Sequence, residues 1–256
     1  MNRYLFCLLA GVLALLVACG GDDGNKPGPT SNGPTAVPTV TLTPLQQSLA
    51  SVVLQPADLP DGLDSGAPDF STNEDLAGSD LAMLEHLVQV GRQLGVDVQF
   101  IPTDRLPDDN PLRGGLQSTA SVYTTENGAS QTFRETADQA LANDWEANYP
   151  SIPDLHVTEI EQGIGDESLW LRITGKAECT FVNTPTPDEH GVVPTPVCED
   201  TKLLIIDNVI FRSGRVRGYL QVSTLFLPQA PLDSYVTQIK AMADIVAQRA
   251  TTAFPS

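Results

Sequence analysis

Hydrophobic and polar positions alternate along most of the second half of the chain. A period of two, which is typical of β-strands, occurs in LHVTEIE, ESLWLRITGKAECTF, TKLLIIDNVIF and RVRGYLQVSTLF. Ser213 and Gly214 lie between the last two segments and predict a tight hairpin. Because short connections of this kind join antiparallel strands, we expect an antiparallel sheet.

Helical periodicity precedes and follows these strands. Residues 72–95 predict a helix from Thr72 to a stop at Gly95, and a strand, VDVQFI, follows it. Alternation around Ala120 and Val122 predicts another strand. After the turn residues 127–128, a further helix is predicted to carry one apolar face: Phe133, Ala137, Leu141 and Trp145. The final helix is predicted to carry another: Leu232, Val236, Ile239, Ala243, Val246 and Ala250. The predicted fold class is therefore α+β, an antiparallel β-sheet flanked by amphipathic helices.

The first 44 residues differ from the rest of the chain in composition and in hydrophobic pattern. Arg3 precedes an apolar stretch of about fifteen residues, which is too short to span a bilayer, so residues 1–18 are predicted to be a signal peptide. Gly, Pro and Thr dominate residues 20–44, which predicts a disordered tether. Residues 45–256 are expected to form a single globular domain.

The residues LVAC at 16–19 resemble the lipobox of bacterial lipoproteins. The resemblance implies that Cys19 is the site of lipid attachment and that the mature protein is anchored to a membrane on the extracytoplasmic side. Gly20 follows the cysteine, so an Asp retention signal for an inner membrane is absent. The alternative is that Cys19 is only the tail of an ordinary signal peptide that is cleaved further on.

The remaining cysteines and the charge restrict the classes of function. Cys7 lies in the predicted signal peptide, which leaves Cys179 and Cys198, and exported proteins usually join such a pair in a disulfide. Two free thiols are the alternative, and two cysteines alone supply too few ligands for a metal site. The formal net charge of −18 repels nucleic acid, which excludes nucleic-acid partners.

Catalytic motifs are absent from the sequence. It contains no G-x-S-x-G, S-x-x-K or H-E-x-x-H pattern, and its three histidines, His86, His156 and His190, fall in unrelated contexts. The acidic stretch at 104–110 lacks the spacing of an EF-hand loop and is expected to be a solvated turn. We therefore expect a protein without catalytic activity, metal or cofactor.

Strand alternation predicts one candidate ligand surface. If the strands are neighbours, one face of the sheet carries Tyr123, Trp170, Arg172, Arg217 and Tyr219. Aromatic rings beside guanidinium groups suit a carboxylate, a phosphate, a sugar or a protein hot spot. In the alternative interpretation, the helix predicted over 72–95 covers this face and the arginines pair with acidic residues.

A second candidate is the loop NTPTPDEHGVVPTPV between Cys179 and Cys198. Its four prolines keep it extended, and a disulfide would hold its base, so it is suited to recognising a partner. The alternative is that the loop is a tolerated insertion without a function of its own.

The order of elements resembles the PsbP-like fold and the extracellular sensor-like domains of bacterial lipoproteins and receptor kinases. The resemblance lies in LQPADLPDGL at 54–63, GIGDESLWLR at 163–172 and IKAMADIVAQRA at 239–250. It implies a non-catalytic binding or sensing module, and it transfers no active-site residue. Together with the candidate ligand surface, it leads us to expect that the protein binds a small anionic ligand or an envelope protein. The alternatives are a structural or interaction role in the cell envelope and, third, a hydrolase.

Overall fold

The computed structural model describes residues 41–107, 110–150, 152–177, 202–226 and 232–255. The chain from Leu42 onward clusters into one compact unit. The predicted signal peptide, the lipobox, nearly all of the tether and the Cys179–Cys198 pair with its loop lie outside the described residues. The predictions about them therefore remain predictions.

Eight strands in the described part of the chain form one sheet, and all of their pairings are antiparallel. The strands are β1 (Leu63–Ser65), β2 (Asp69–Ser71), β3 (Arg92–Pro102), β4 (Leu116–Tyr123), β5 (His156–Glu159), β6 (Glu167–Ala177), β7 (Lys202–Ser213) and β8 (Val216–Phe226). Their order across the sheet is β1-β3-β4-β8-β7-β6-β5, and β2 also pairs with β3. Gly214 has φ +55° in the β7–β8 hairpin, as the Ser213–Gly214 turn predicts.

Six α-helices accompany the sheet in the described residues. They are α1 (Pro44–Ala50), α2 (Asn73–Ala77), α3 (Leu81–Gln89), α4 (Glu126–Leu141), α5 (Trp145–Asn148) and α6 (Leu232–Ala253). The predicted α+β class is confirmed.

The helix predicted over residues 72–95 is wrong in its extent. Thr72 caps the start of α2 as predicted, because its side chain accepts a hydrogen bond from the backbone of Asp75. Gly78, at φ +57°, then ends α2, and Asp80 caps a separate helix, α3. Gly91, at φ +72°, stops the second helix, so the chain is already in β3 from Arg92 onward.

Three further predictions around α4 need correction. Residues 127–128, predicted as a turn, lie in the first turn of α4, where the side chain of Thr125 accepts from the amide of Gly128. Trp145, predicted on the same helix, lies in α5 because Asp144 caps a new helix start. Leu141 was expected in the core but its side chain is 56% exposed.

The main core lies between one face of the sheet and the helices α1 and α6. We call this face the α6 face, and its largest fully buried side chains include Phe100, Trp170 and Phe211. In the predicted stripe of α6, the four residues Ile239, Ala243, Val246 and Ala250 are buried in this core. The opposite face of the sheet is partly covered by α4, which contacts β4, β6, β7 and β8.

Candidate functional site

The five residues that were predicted to share one face lie on both faces of the sheet. Trp170 is paired in register with Val209, and Val209 is paired with Leu220, so Trp170 shares the α6 face with Leu220. Arg172 lies two residues further along the same face. Tyr219, next to Leu220, points to the opposite face together with the remaining two predicted residues, Tyr123 and Arg217. The prediction of one shared face is therefore wrong. A shared face would require β6 to be shifted by one residue relative to β8 from the observed register.

Arg172 is engaged in a buried ion pair. Its Nε and Nη2 donate to the two carboxylate oxygens of Asp207 at 3.0 and 3.1 Å, and the indole Nε1 of Trp170 donates to the same carboxylate. The ring of Tyr235 in α6 lies 5.3 Å from the guanidinium. Burial raises the pKa of Asp207, and Arg172 opposes that rise. This guanidinium therefore already has its anion and is covered by α6, not by residues 72–95.

We call the other face of the sheet the polar face. It carries three rows of mostly polar residues that run across adjacent strands. The first row contains Gly95, Ser121 and Arg217 and continues to the ion pair of Arg212 and Glu167; the second contains Asp97, Thr119 and Tyr219; the third contains Gln99, Gln117, Gln221 and Asn208. We call the third row the amide row. Neighbouring strands lie about 4.8 Å apart, so the side chains within a row are direct neighbours.

Arg92 reaches over the first row from the start of β3. A Cβ atom added to Gly95 would lie 2.2 Å from Nη2 of Arg92 and 3.2 Å from Oγ of Ser121, so the guanidinium lies directly above the glycine. Nη1 donates to the carbonyl of Ser71 and to Oδ1 of Asn73, and Nη2 donates to Oγ of Ser71. All three acceptors are neutral, although Arg92 is only 5% exposed.

Arg217 lies in the same row on the other side of Ser121. Its Nη1 donates to Oγ1 of Thr136 in α4 at 2.7 Å, which is again a neutral acceptor. Arg92 and Arg217 form what we call the arginine pair. Within the described residues, neither guanidinium has a carboxylate within ion-pair distance.

Burial dominates the electrostatics of Arg92. It is the largest cause that lowers the pKa of Arg92 to about 10; the charge of Arg217 acts in the same direction, and Tyr123 and Asp75 oppose it. Arg92 therefore stays protonated at neutral pH. Its Nε and the hydroxyl of the fully buried Tyr123 have no hydrogen-bond partner among the described residues. The group that best complements such a site is an oxyanion.

The second row centres on Asp97. Its carboxylate accepts from Oγ1 of Thr119 at 2.9 Å and from Nε2 of Gln117. Burial raises the pKa of Asp97, and the charge of Asp69 on the neighbouring strand adds to the rise. Tyr219, half-buried in the same row, donates its hydroxyl to Oδ1 of Asn208 at 2.7 Å, and burial raises the pKa of this phenol.

The amide row becomes more buried from β3 to β7. Gln99 is exposed and Gln117 half-buried, whereas Gln221 and Asn208 are only 3% and 4% exposed. Nε2 of Gln221 donates to Oδ1 of Asn208 at 2.9 Å. Oε1 of Gln221 and Nδ2 of Asn208 have no partner among the described residues.

Several residues of this site were missed at the level of sequence. In VDVQFI, strict alternation does place Asp97 and Gln99 on one face, and that pattern could have identified the second and third rows. Arg92 carried no such signal, because the sequence predicted a helix at that position. Asn208 and Gln221 were recognisable as strand residues, but only the register shows that they are direct neighbours.

The described residues carry neither a membrane-spanning helix nor a cluster of metal ligands. None of the helices there combines the length and the apolar character that a bilayer crossing requires. No group of three or more His, Cys, Asp or Glu side chains in the same part of the chain is arranged to hold a metal ion.

Comparison with known proteins gives a likeness at the level of solved structures. No protein-family model matches the chain, and the search of curated proteins gave no match. The extracellular domain of PknH from Mycobacterium tuberculosis matches with a TM-score of 0.45 and 7% sequence identity, over 80% of this chain and 96% of that chain. At that TM-score the likeness transfers neither a ligand nor a binding residue to this protein.

Proposed function

We propose that the protein is a lipid-anchored, extracytoplasmic and non-catalytic domain that binds a small molecule through a carboxylate or phosphate group on that molecule. The binding site is the arginine pair on the polar face, with Ser121 between the two guanidinium groups and the hydroxyl of Tyr123 nearby. Two of the five residues selected from sequence, Tyr123 and Arg217, belong to this site.

The observation that carries the proposal is a buried guanidinium without a carboxylate in an acid-rich chain. The sequence has 32 Asp and Glu against 14 Lys and Arg, so carboxylates are abundant. Arg172, Arg212 and Arg249 all pair with carboxylates. Leaving a buried charge unpaired costs several kcal/mol. The arginine pair avoids that cost when a ligand supplies the anion.

The geometry of the arginine pair suits an oxyanion bound above Ser121. Arg92 is held in place by three hydrogen bonds to Ser71 and Asn73, so it does not need to become ordered when the ligand binds. Arg217 is half-buried and provides the side of the site closest to solvent. An anion between the two side chains would accept charge-assisted hydrogen bonds from both.

The experiment that tests this function is calorimetric titration of the purified protein with inorganic phosphate and, separately, with acetate. We expect one site for at least one of the two anions. Arg217→Gln should weaken its binding by about 10- to 100-fold, because a hydrogen bond to a charged group contributes about 1.5–3 kcal/mol. Comparison of phosphate with acetate shows which kind of anion the site prefers.

Arg105→Gln is the matched control. Arg105 also carries one positive charge, but it is exposed and pairs with Asp64 at the β1 edge of the sheet. The control should bind like the wild type. If neither anion binds to the wild type, or if Arg105→Gln loses as much affinity as Arg217→Gln, the proposed site is wrong.

The anchoring part of the proposal rests on the lipobox resemblance at residues 16–19. Each buried methylene of a lipid chain contributes about 0.8 kcal/mol, so two or three chains hold a protein firmly at a membrane. Cys19→Ser should release the protein from the membrane fraction or block its processing. A mutant that stays membrane-bound at the mature size would contradict lipid anchoring.

A further inference from the structure

The amide row lies on the same face as the arginine pair but at a distance from it. Arg217, Tyr219 and Gln221 follow one another on the polar face of β8, two residues apart each time. At about 3.4 Å per residue, Gln221 lies about 14 Å along the strand from Arg217. A single phosphate or carboxylate group at the arginine pair does not reach the amide row, so these amides need a separate explanation.

The hydrogen bonds of the two buried amides leave one donor and one acceptor unused. Oδ1 of Asn208 accepts from both Tyr219 and Gln221, which leaves Nδ2 of Asn208 and Oε1 of Gln221 without a partner among the described residues. Turning both amide groups over exchanges the roles of their oxygen and nitrogen atoms. One donor and one acceptor still remain, so the conclusion does not depend on the orientation of the amides.

This unused pair indicates which ligand group fits. Carboxylates and phosphates only accept hydrogen bonds when ionised, and an ammonium group only donates. A hydroxyl group does both, and two neighbouring hydroxyls would satisfy both amides at once. The fold itself does not require polar residues here, because Ile210 and Leu169 lie on the same face of adjacent strands and are buried.

The second row extends the same chemistry towards the arginine pair. Asp97 has two carboxylate oxygens and, in the part of the chain that the structure describes, no ion-pair partner. A carboxylate at this position accepts hydrogen bonds from hydroxyl groups and repels an anion. The anionic part of a ligand therefore belongs at the arginine pair, and a neutral, hydroxyl-rich part belongs over the second and third rows.

We infer that the ligand is an acidic sugar, with its carboxylate or phosphate at the arginine pair and its hydroxyls on Asp97, Thr119 and the amide row. This inference rests on the proposed function, since it assigns the anionic group to the same two arginines. It adds a ligand class and a second set of contacts.

Five probes separate the two parts of the site: inorganic phosphate, acetate, glucose, glucose 6-phosphate and glucuronate. Each is titrated calorimetrically into the wild type, Arg217→Gln and the double variant Asn208→Leu/Gln221→Leu. We expect one of the two acidic sugars to bind at least tenfold more tightly than the simple anion that matches its acidic group, phosphate for glucose 6-phosphate or acetate for glucuronate. The double variant should lose this additional affinity for the acidic sugar and keep its affinity for phosphate. Arg217→Gln should weaken the binding of both phosphate and the acidic sugar.

The outcomes distinguish a failure of this inference from a failure of the proposed function. If phosphate binds but neither acidic sugar binds more tightly, the inference is wrong and the anion site stands. If the double variant keeps the full advantage of the sugar, the amides hold only water and the inference is wrong. If glucose binds and no anion does, the proposed function fails and the inference fails with it, because the acidic group then has no role.

A second variant covers the case in which the double variant does not fold, which circular dichroism would show. Thr119→Val removes a half-buried hydroxyl that bonds Asp97 and keeps the β-branched shape that strands favour. We expect it to reduce the sugar advantage severalfold and to leave phosphate affinity unchanged. An unchanged preference for the sugar in this variant would overturn the inference.

Discussion

Two buried arginines on opposite faces of the same sheet have opposite surroundings. Arg172, 7% exposed on the α6 face, makes a bidentate pair with Asp207 and lies against the ring of Tyr235. Arg92, 5% exposed on the polar face, donates only to neutral atoms of Ser71 and Asn73. Both guanidinium groups are buried, yet only one has a carboxylate as its partner.

The difference separates a charge that supports the fold from a charge that is available to a ligand. On the α6 face, the ion pair is complete and enclosed, so an additional anion has no place there. On the polar face, the arginine pair and the amide row keep hydrogen-bonding capacity that the described residues do not use. A buried polar group without a partner costs about 1–3 kcal/mol, which is a reason to expect a ligand.

The largest effect is expected on the α6 face. Asp207→Ala leaves Arg172 as an unpaired buried charge and also removes the acceptor of the Trp170 indole. Loss of one partner of a buried ion pair costs about 3–5 kcal/mol. We expect the free energy of unfolding, measured by urea denaturation, to fall by that amount.

Asp64→Ala is the control for this change, because Asp64 belongs to the exposed pair with Arg105. Exposed pairs contribute little, so its urea midpoint should stay close to that of the wild type. If Asp207→Ala were no more destabilising than Asp64→Ala, the ion pair beneath α6 would not support the fold as described.

The next effect is on the arginine pair. The Cβ of Gly95→Ala would take the position of the Arg92 guanidinium, 2.2 Å from Nη2, and would also approach Oγ of Ser71 at 2.8 Å. The guanidinium is the far end of a flexible side chain and would move away. Phosphate or acetate affinity, whichever the wild type shows by calorimetry, should fall about tenfold, the effect of losing one hydrogen bond to a charged group.

Gly66→Ala is the matched control for the glycine change. Its added Cβ would lie 3.6 Å from the nearest atom, the carbonyl oxygen of Gln99, which is an ordinary contact. We expect its anion affinity to equal that of the wild type. Equal affinities in Gly95→Ala and Gly66→Ala would show that Arg92 does not bind the anion.

A smaller effect is expected from removing the two buried amides together. Asn208→Leu/Gln221→Leu eliminates the hydrogen bond between the amides and the one that the half-buried Tyr219 donates to Asn208, but it also eliminates the unpartnered donor and acceptor. Replacing both partners by apolar groups of similar shape is close to neutral for stability. The free energy of unfolding in urea should stay within about 1 kcal/mol of the wild type, and a loss as large as that of Asp207→Ala would show that these amides support the fold.

The smallest effect is a pH dependence that comes from Asp97. Burial raises its pKa in the folded protein, so the folded state binds more protons than the unfolded state above about pH 4. Stability should therefore decrease as the pH rises through the raised pKa. Asp97→Asn removes this titration, so the stability of the variant relative to the wild type should increase over the same pH range in urea denaturation.

The direction of that change is the critical result. If Asp97→Asn lost stability relative to the wild type as the pH rose, the carboxylate would be stabilised in the folded protein. In that case it would have a cation partner and would not be available to hydroxyl groups of a ligand.

The fold class followed from short-range patterns in the sequence. Alternation in TKLLIIDNVIF and RVRGYLQVSTLF with Ser213–Gly214 between them predicts the β7–β8 hairpin, and the structure has it. The apolar stripe of the last helix likewise predicts how α6 packs. These features depend on residues that are close together in the sequence, so the sequence of this chain is enough to predict them. The break between α2 and α3 depends on Gly78, and the end of α3 depends on Gly91; both have a positive φ, which a helical pattern alone does not reveal.

The site was harder to predict because it depends on strand register. Alternation assigns Trp170 and Arg172 to one side of β6 and Arg217 and Tyr219 to one side of β8, but it cannot relate the two strands across β7. A shift of one residue exchanges the faces. For the same reason, Arg172 was predicted to face a ligand, whereas the observed register places it opposite Asp207.

The most direct test of the arginine pair is an NMR titration of the 15N-labelled protein with inorganic phosphate, or with acetate if calorimetry shows a preference for carboxylates, observed at the arginine Nε–Hε signals. We expect the signals of Arg92 and Arg217 to shift together with one dissociation constant. The signal of Arg172, which already has Asp207 as its partner, should not move. If only exposed arginines such as Arg105 respond, or if Arg92 and Arg217 do not respond, the polar face is not an anion-binding site.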